Sequence, residues 1–181
     1  MQSDHRTVLH FWFEEATSKQ HFSKDEAFDT IIHARFGELH AAASQGELSA
    51  WRETPDGRLA EIIVLDQFSR NLYRDSPRAF ACDGMALVLA QEAVRNEADQ
   101  ALPVERRPFL YMPYMHSESR TIHEVAKSLF ESLGLEESLK YELAHKAIIA
   151  RFGRFPHRNA ILGRDSTPEE LEFLRQPGSS F

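Results

Sequence analysis

Large apolar residues return every three to four positions along almost the whole chain, while the strict alternation of a half-buried strand is nearly absent. That periodicity predicts helices throughout. The first, opening after a cap at Ser3 or Asp4, carries Val8, Leu9, Phe11, Trp12 and Phe13. These are too many bulky groups for one exposed face, so this helix is expected deep in the core. Ser23 followed by Glu26 reads as a capping box for a second helix running to about Ser44, with Phe28, Ile31, Ile32, Phe36 and Leu39 at helical spacing. Gly46 and Pro55-Asp56-Gly57 then punctuate the chain. A third helix is expected from near Asp56 to about Tyr73, through Leu59, Ile62, Ile63 and Leu65. Ser76-Pro77 opens a fourth, whose expected core face is Phe80, Leu87, Leu89 and Val94.

In the second half, Pro103 and Pro108 bracket a short connection, and Pro113 is expected to kink or interrupt the helix that follows. Ser117 to Leu133 reads as another helix stopped by Gly134, and Glu136 to Arg151 as one ending at Gly153. Thr167 with Glu170 caps a short last helix. Helices of this length joined by short turns favour antiparallel neighbours. The fold class is therefore all-α: antiparallel helical hairpins, stacked or gathered in a compact bundle, forming one domain over residues 1–175 with a flexible tail at 176–181.

Composition narrows the setting. With 181 residues and 42% hydrophobic content the chain can bury a core unaided, and its single cysteine, Cys82, excludes an internal disulfide. A net charge of -7 argues against wholesale attraction to nucleic acid or an anionic membrane. Polar residues interrupt the N-terminal segment, and no apolar run approaches a membrane span, so an intracellular, cytoplasmic protein is expected. The basic residues are unevenly chosen, 16 Arg against 5 Lys. A planar guanidinium suits carboxylates and phosphates, although genomic base composition produces the same bias.

Chemistry concentrates in three places. Asp66, Arg70 and Arg74 line one helical stripe with Gln67 and Asn71 beside it, either converging on a ligand or forming a buried interhelical network. At the helix junction after Pro113, His116 and Glu118 make a plausible acid-base pair, unless Ser117 merely caps the next helix with Glu118 in its first turn. Between Arg151 and Arg164 stand four arginines and His157 without one acidic residue, in a chain acidic overall. Gly153 and Pro156 forbid a continuous helix there, and Phe152 and Phe155 are placed to pin the turn to the core. Arg154, His157, Arg158 and Asn159 then either converge on an anion or pair with acids elsewhere as structural glue.

Metal and nucleophile signatures are weak. His123-Glu124 is not followed by the second histidine of a zinc-protease helix, and Glu142 to His145 is half of what a di-iron bundle needs. No Gly-rich phosphate loop and no Gly-x-Ser-x-Gly elbow occurs, so neither a cofactor nor a metal is expected.

The stretches His10-Phe11-Trp12-Phe13, Leu65 to Asn71, Phe109 to Glu118 and Arg151 to Asn159 resemble, in order, those of domain of unknown function family 924, a group of uncharacterised bacterial proteins. The resemblance spans nearly the whole chain. It implies a tetratricopeptide-like stack of α/α hairpins, and no established activity. Asp66, Gln67, Arg70 and Asn71 match one motif of that family, His116 and Glu118 a second, and Arg151, Arg154, His157, Arg158 and Asn159 a third; Ser69 stands where many relatives are expected to carry proline.

Two functions remain open. The first is a binding module, with Gln67, Arg70, Asn71, Arg151, Arg154, Arg158 and Asn159 holding an anionic small molecule or a peptide carboxylate. The second is a hydrolase-type enzyme for a phosphorylated or acylated small molecule, with His116, Glu118, His157 and Asp66 as candidate catalytic groups. Beyond these, a structural role with exposed aromatics serving a homodimer is a third possibility.

Overall fold

The structure, a computed structural model, describes residues 4–180. Every regular element among them is helical. They form two compact units: residues 4–74 with 78–113, and residues 75–77 with 114–180.

The first unit is built around a central helix. Helix α4 (Pro55–Ile63) continues without a break through a π-helical turn at Val64–Phe68 into α5 (Ser69–Leu72). Its N-cap is Thr54 and its first residue Pro55, one residue before the Asp56 start expected, because the Thr54 hydroxyl accepts the Gly57 N–H at 3.1 Å. Every residue from Leu59 to Ser69 is buried. Buried on all sides, it packs against α1 (His5–His10) and α6 (Asp83–Arg95), while its π-turn meets α3 (Glu26–Ser44). Phe11, Trp12, Phe28, Phe36 and Phe68 pack ring on ring around it, with centroids 5.0–6.2 Å apart.

Several local expectations change. Asp25, not Ser23, caps α3, accepting the Phe28 N–H at 3.0 Å; the short helix α2 (Ser18–Phe22), with its own Thr17/Gln20 capping box, occupies the preceding segment. Asp4 caps α1, while Ser3, the other candidate, lies outside the described residues. Helix α6 buries Ala86, Ala90 and Ala93, and the bulky side chains expected inward are only partly covered. Small residues let α6 and α4 approach closely. Helix α7 (Arg107–Met115) runs through Pro113 without interruption.

The second unit is a helical hairpin with a polar loop folded on it. Helices α8 (Arg120–Leu133) and α9 (Glu136–Phe152) are joined through Gly134. They run antiparallel, since Arg120 reaches the carbonyls of Ile149 and Ala150 while Lys146 reaches Glu124. Gly134 and Gly153 both adopt the left-handed conformation that ends a helix cheaply only for glycine, φ 68° and 72°. Phe155, Ile148 and Ile149 form the core beneath the loop, flanked by Phe152 and Phe173. Helix α10 (Pro168–Phe173) follows, with the expected Thr167/Glu170 capping box in place. In the expected tail, Ser179 is buried and its hydroxyl donates to the Leu174 carbonyl; Phe181 lies outside the described residues. No helix of the described residues is long and apolar enough to cross a membrane.

Candidate functional site

The motif at Asp66–Asn71 lies within the first unit and is internally satisfied. Arg70 forks onto Asp83 at 3.0 and 3.1 Å, donates to the Asp66 carbonyl at 2.8 Å and sits 3.3 Å from the buried Asp66 carboxylate. Gln67 donates to the other Asp66 oxygen at 2.6 Å. Asn71 and Arg74 converge on Asp29 of α3, whose acidity they strengthen against the opposing effect of its burial. Each charge here meets its opposite inside the unit, which is the arrangement of a network holding helices in register.

The other two motifs meet in the second unit, where the polar loop supplies two sets of groups. In the first set, Glu118 accepts both arms of the Arg164 fork at 2.6 and 2.9 Å and the Phe155 N–H at 2.7 Å. Burial alone would raise the Glu118 pKa; Arg164 and the Phe155 amide hold it below the ordinary glutamate value. Arg164 also donates to Asn159, and Asn159 in turn donates to Ser166 and Glu170. The fork of Arg154 closes on Glu170 at 2.7 and 2.8 Å, with a further bond to the Asp165 carbonyl. Glu170 also accepts the Thr167 N–H, and with Arg154 as the chief cause its pKa falls to about 2. Arg151 lies outside, paired with Glu169 and stacked over Phe152. The acids facing these arginines come from Glu118, before α8, and from α10.

The second set surrounds the buried ring of Phe155. Arg158, 6% exposed, lies with Cζ 4.5 Å above it. The rings of His145, His157 and His123 are centred 5.6, 5.7 and 6.3 Å away, and His116 lies 6.2 Å from His145. Neither His123 nor His145 was marked by the sequence as a site residue; both occupy the buried faces of the hairpin, where a histidine reads like a core position.

Tautomers follow from the partners. His123 faces the Ser117 carbonyl through Nε2 and Glu142 through Nδ1, both at 2.8 Å. A carbonyl can only accept, so Nε2 carries a proton and a second proton is shared with Glu142, whose pKa burial raises. His145 donates from Nδ1 to the Tyr141 carbonyl at 2.7 Å. Burial first, then the neighbouring His116, His123 and Arg158, push its pKa down to about 3, so it is neutral at physiological pH and Nε2 is its accepting nitrogen. Among the described residues no three of His, Cys, Asp or Glu are placed to hold a metal ion.

This hairpin and loop, with Glu118 clamping Phe155 and three histidines about it, lie inside a longer match. The family model described as "Bacterial protein of unknown function (DUF924)" covers residues 8–178. The chain belongs to this family. A solved structure of a protein of unknown function from Agrobacterium tumefaciens is 40% identical to the DUF924 chain, with a TM-score of 0.89 over 94% of this chain and 96% of that one. No curated protein matches it. The fold expected from the sequence, all-α, and the expected family are thus both in hand.

Proposed function

We propose that this DUF924 chain is a binding protein for a small anionic molecule, held by its carboxylate or phosphate at His116, His157 and Arg158, beside the neutral ring of His145. The observation that carries the reading is the gathering of Arg158, His157, His145 and His123 about the single ring of Phe155, with His116 against His145. Imidazole N–H groups and a guanidinium in a dry setting are strong donors to an anion, and His145, depressed first by burial, is pushed further down by the positive charge of His116 and Arg158. Arg154, Asn159 and Arg151, proposed from the sequence as further ligands, are assigned here to supporting the loop through their acids. The paired hairpin α8–α9 is compatible with a tetratricopeptide-like arrangement, which we carry as a proposal.

Thermal unfolding with inorganic phosphate and acetate at millimolar concentration tests the reading. The wild-type melting temperature is expected to rise with at least one of them, and Arg158→Gln to lose that rise. An unchanged rise in Arg158→Gln, or no rise with either anion, would overturn it.

A second reading, hydrolysis of a phosphorylated or acylated small molecule, is favoured by the paired rings of His116 and His145, with His116 or His157 as the proton carrier. Glu118 is engaged by Arg164, and Asp66 belongs to the other unit, which leaves the histidines to carry it. Turnover of p-nitrophenyl phosphate or acetate that disappears in both His116→Ala and His157→Ala supports this reading; turnover surviving both removes it.

A further inference from the structure

Glu142 is wholly buried, yet only one of its oxygens is engaged: Oε1 shares a proton with His123, while Oε2 is enclosed with no hydrogen-bond partner. A buried acceptor left empty is costly, and native proteins rarely keep one without a use. One turn along the same face of α9 stands His145, whose Nε2 also accepts, because Nδ1 spends its proton on the Tyr141 carbonyl. Glu142 is joined through His123, and His145 directly, to the cluster around Phe155 where the Arg158 guanidinium lies. An anion alone would leave Oε2 unmatched.

We infer that the ligand of this site is a small carboxylic acid bearing an uncharged hydrogen-bond donor on the neighbouring carbon, a 2-hydroxy acid, with its hydroxyl donating to Glu142 Oε2 and its carboxylate held by Arg158, His116 and His157. This rests on the anion-binding reading above and adds the donor. An ammonium in place of the hydroxyl is disfavoured on charge. The His123–Glu142 pair holds one shared proton and is neutral as a unit, so Glu142 offers no net negative charge to an ammonium. A hydroxyl supplies the proton that Oε2 lacks and brings no charge with it. The geometry also explains why Glu142 is locked rather than exposed, since His123, held at both nitrogens, fixes the carboxyl plane and so the direction in which Oε2 accepts.

Propionate, lactate and alanine share one three-carbon frame and differ in the group on the second carbon: hydrogen, hydroxyl or ammonium. Titrating each into the full-length wild-type protein and following histidine and backbone NMR shifts gives three dissociation constants. Lactate is expected to bind roughly tenfold more tightly than propionate, the effect of one well-made hydrogen bond to a charged or polarised acceptor, and alanine no more tightly than propionate. In Glu142→Gln the lactate advantage is expected to fall below about threefold with propionate unchanged; the wild-type series decides the question even if that variant folds poorly. Propionate binding equal to or tighter than lactate overturns this inference and leaves the anion reading standing, as does alanine binding most tightly. Failure of all three, together with phosphate and acetate, overturns the anion reading itself.

Discussion

Glu170 shows how much can depend on one buried carboxylate. It receives Arg154, Asn159 and the Thr167 amide, and so joins the polar loop to the start of α10. Replacing it with glutamine removes the ion pair and strands the Arg154 fork, with an expected loss of about 2–3 kcal/mol in a urea titration. Its pH dependence has a definite sign. The folded pKa of about 2 lies below the ordinary value of 4.5, so the stabilisation is fully present above about pH 4.5 and fades as pH falls toward 2. Urea midpoints at pH 7 and pH 3 are expected to differ more in wild type than in Glu170→Gln. Arg154 and Arg158, neighbours in one motif, separate on the same logic. Arg154→Gln is expected to lower stability and leave anion binding intact, whereas Arg158→Gln abolishes anion binding; loss of binding in Arg154→Gln, or its survival in Arg158→Gln, would contradict that division.

These residue roles were only half legible in the sequence. The local excess of arginine between Arg151 and Arg164 marked the loop, but which acid answers each arginine depends on contacts such as Arg154 with Glu170 and Arg164 with Glu118, separated by 16 and 46 residues. Short-range patterns carry no information at that distance. His123 and His145 escaped for a different reason: each sits where helical spacing calls for a core residue, and only the contact with Phe155 reveals a shared site. Glu142 was visible as half of a metal motif, although its partner proved to be a histidine on the opposite helix.

At the level of elements, helix ends were the most readable feature wherever the signal was backbone geometry. Gly134, Gly153 and the Thr167/Glu170 box stand where expected, because a left-handed glycine or a reciprocal cap needs only local residues. Ser23 lost to Asp25 because a side chain two residues closer caps the Phe28 amide. The start of α4 holds a sharper case. A glycine in a first helical turn ordinarily gains stability on changing to alanine. Gly57, however, is pressed against the Trp51 carbonyl, where a Cβ would come within 1.9 Å of the oxygen. Gly57→Ala is therefore expected to destabilise the protein by about 1–3 kcal/mol, by displacing the 49–53 turn or the helix itself. A melting temperature equal to or above wild type would show that this turn yields freely.

For the whole molecule, the sequence expectation of one domain over 1–175 becomes a question of cooperativity. The chain crosses between its two units three times, after Arg74, Pro77 and Pro113, the last inside α7. We expect calorimetry to give one transition in which the calorimetric and van't Hoff enthalpies agree, since a helix that spans the boundary cannot melt in one unit without loosening in the other. Two resolved transitions would mean two domains. The all-α class and the family were readable because apolar periodicity and motif order extend over the whole chain, and such signals accumulate with length.

The His123–Glu142 contact has a further consequence. Its shared proton lies between groups that are 1% and 0% exposed, shut off from exchange with solvent. Such a proton persists long enough to give its own resonance, far downfield of every amide signal. The molecule thus carries a built-in reporter on the same carboxyl group as the oxygen proposed to greet the ligand, legible in one dimension without isotopic enrichment.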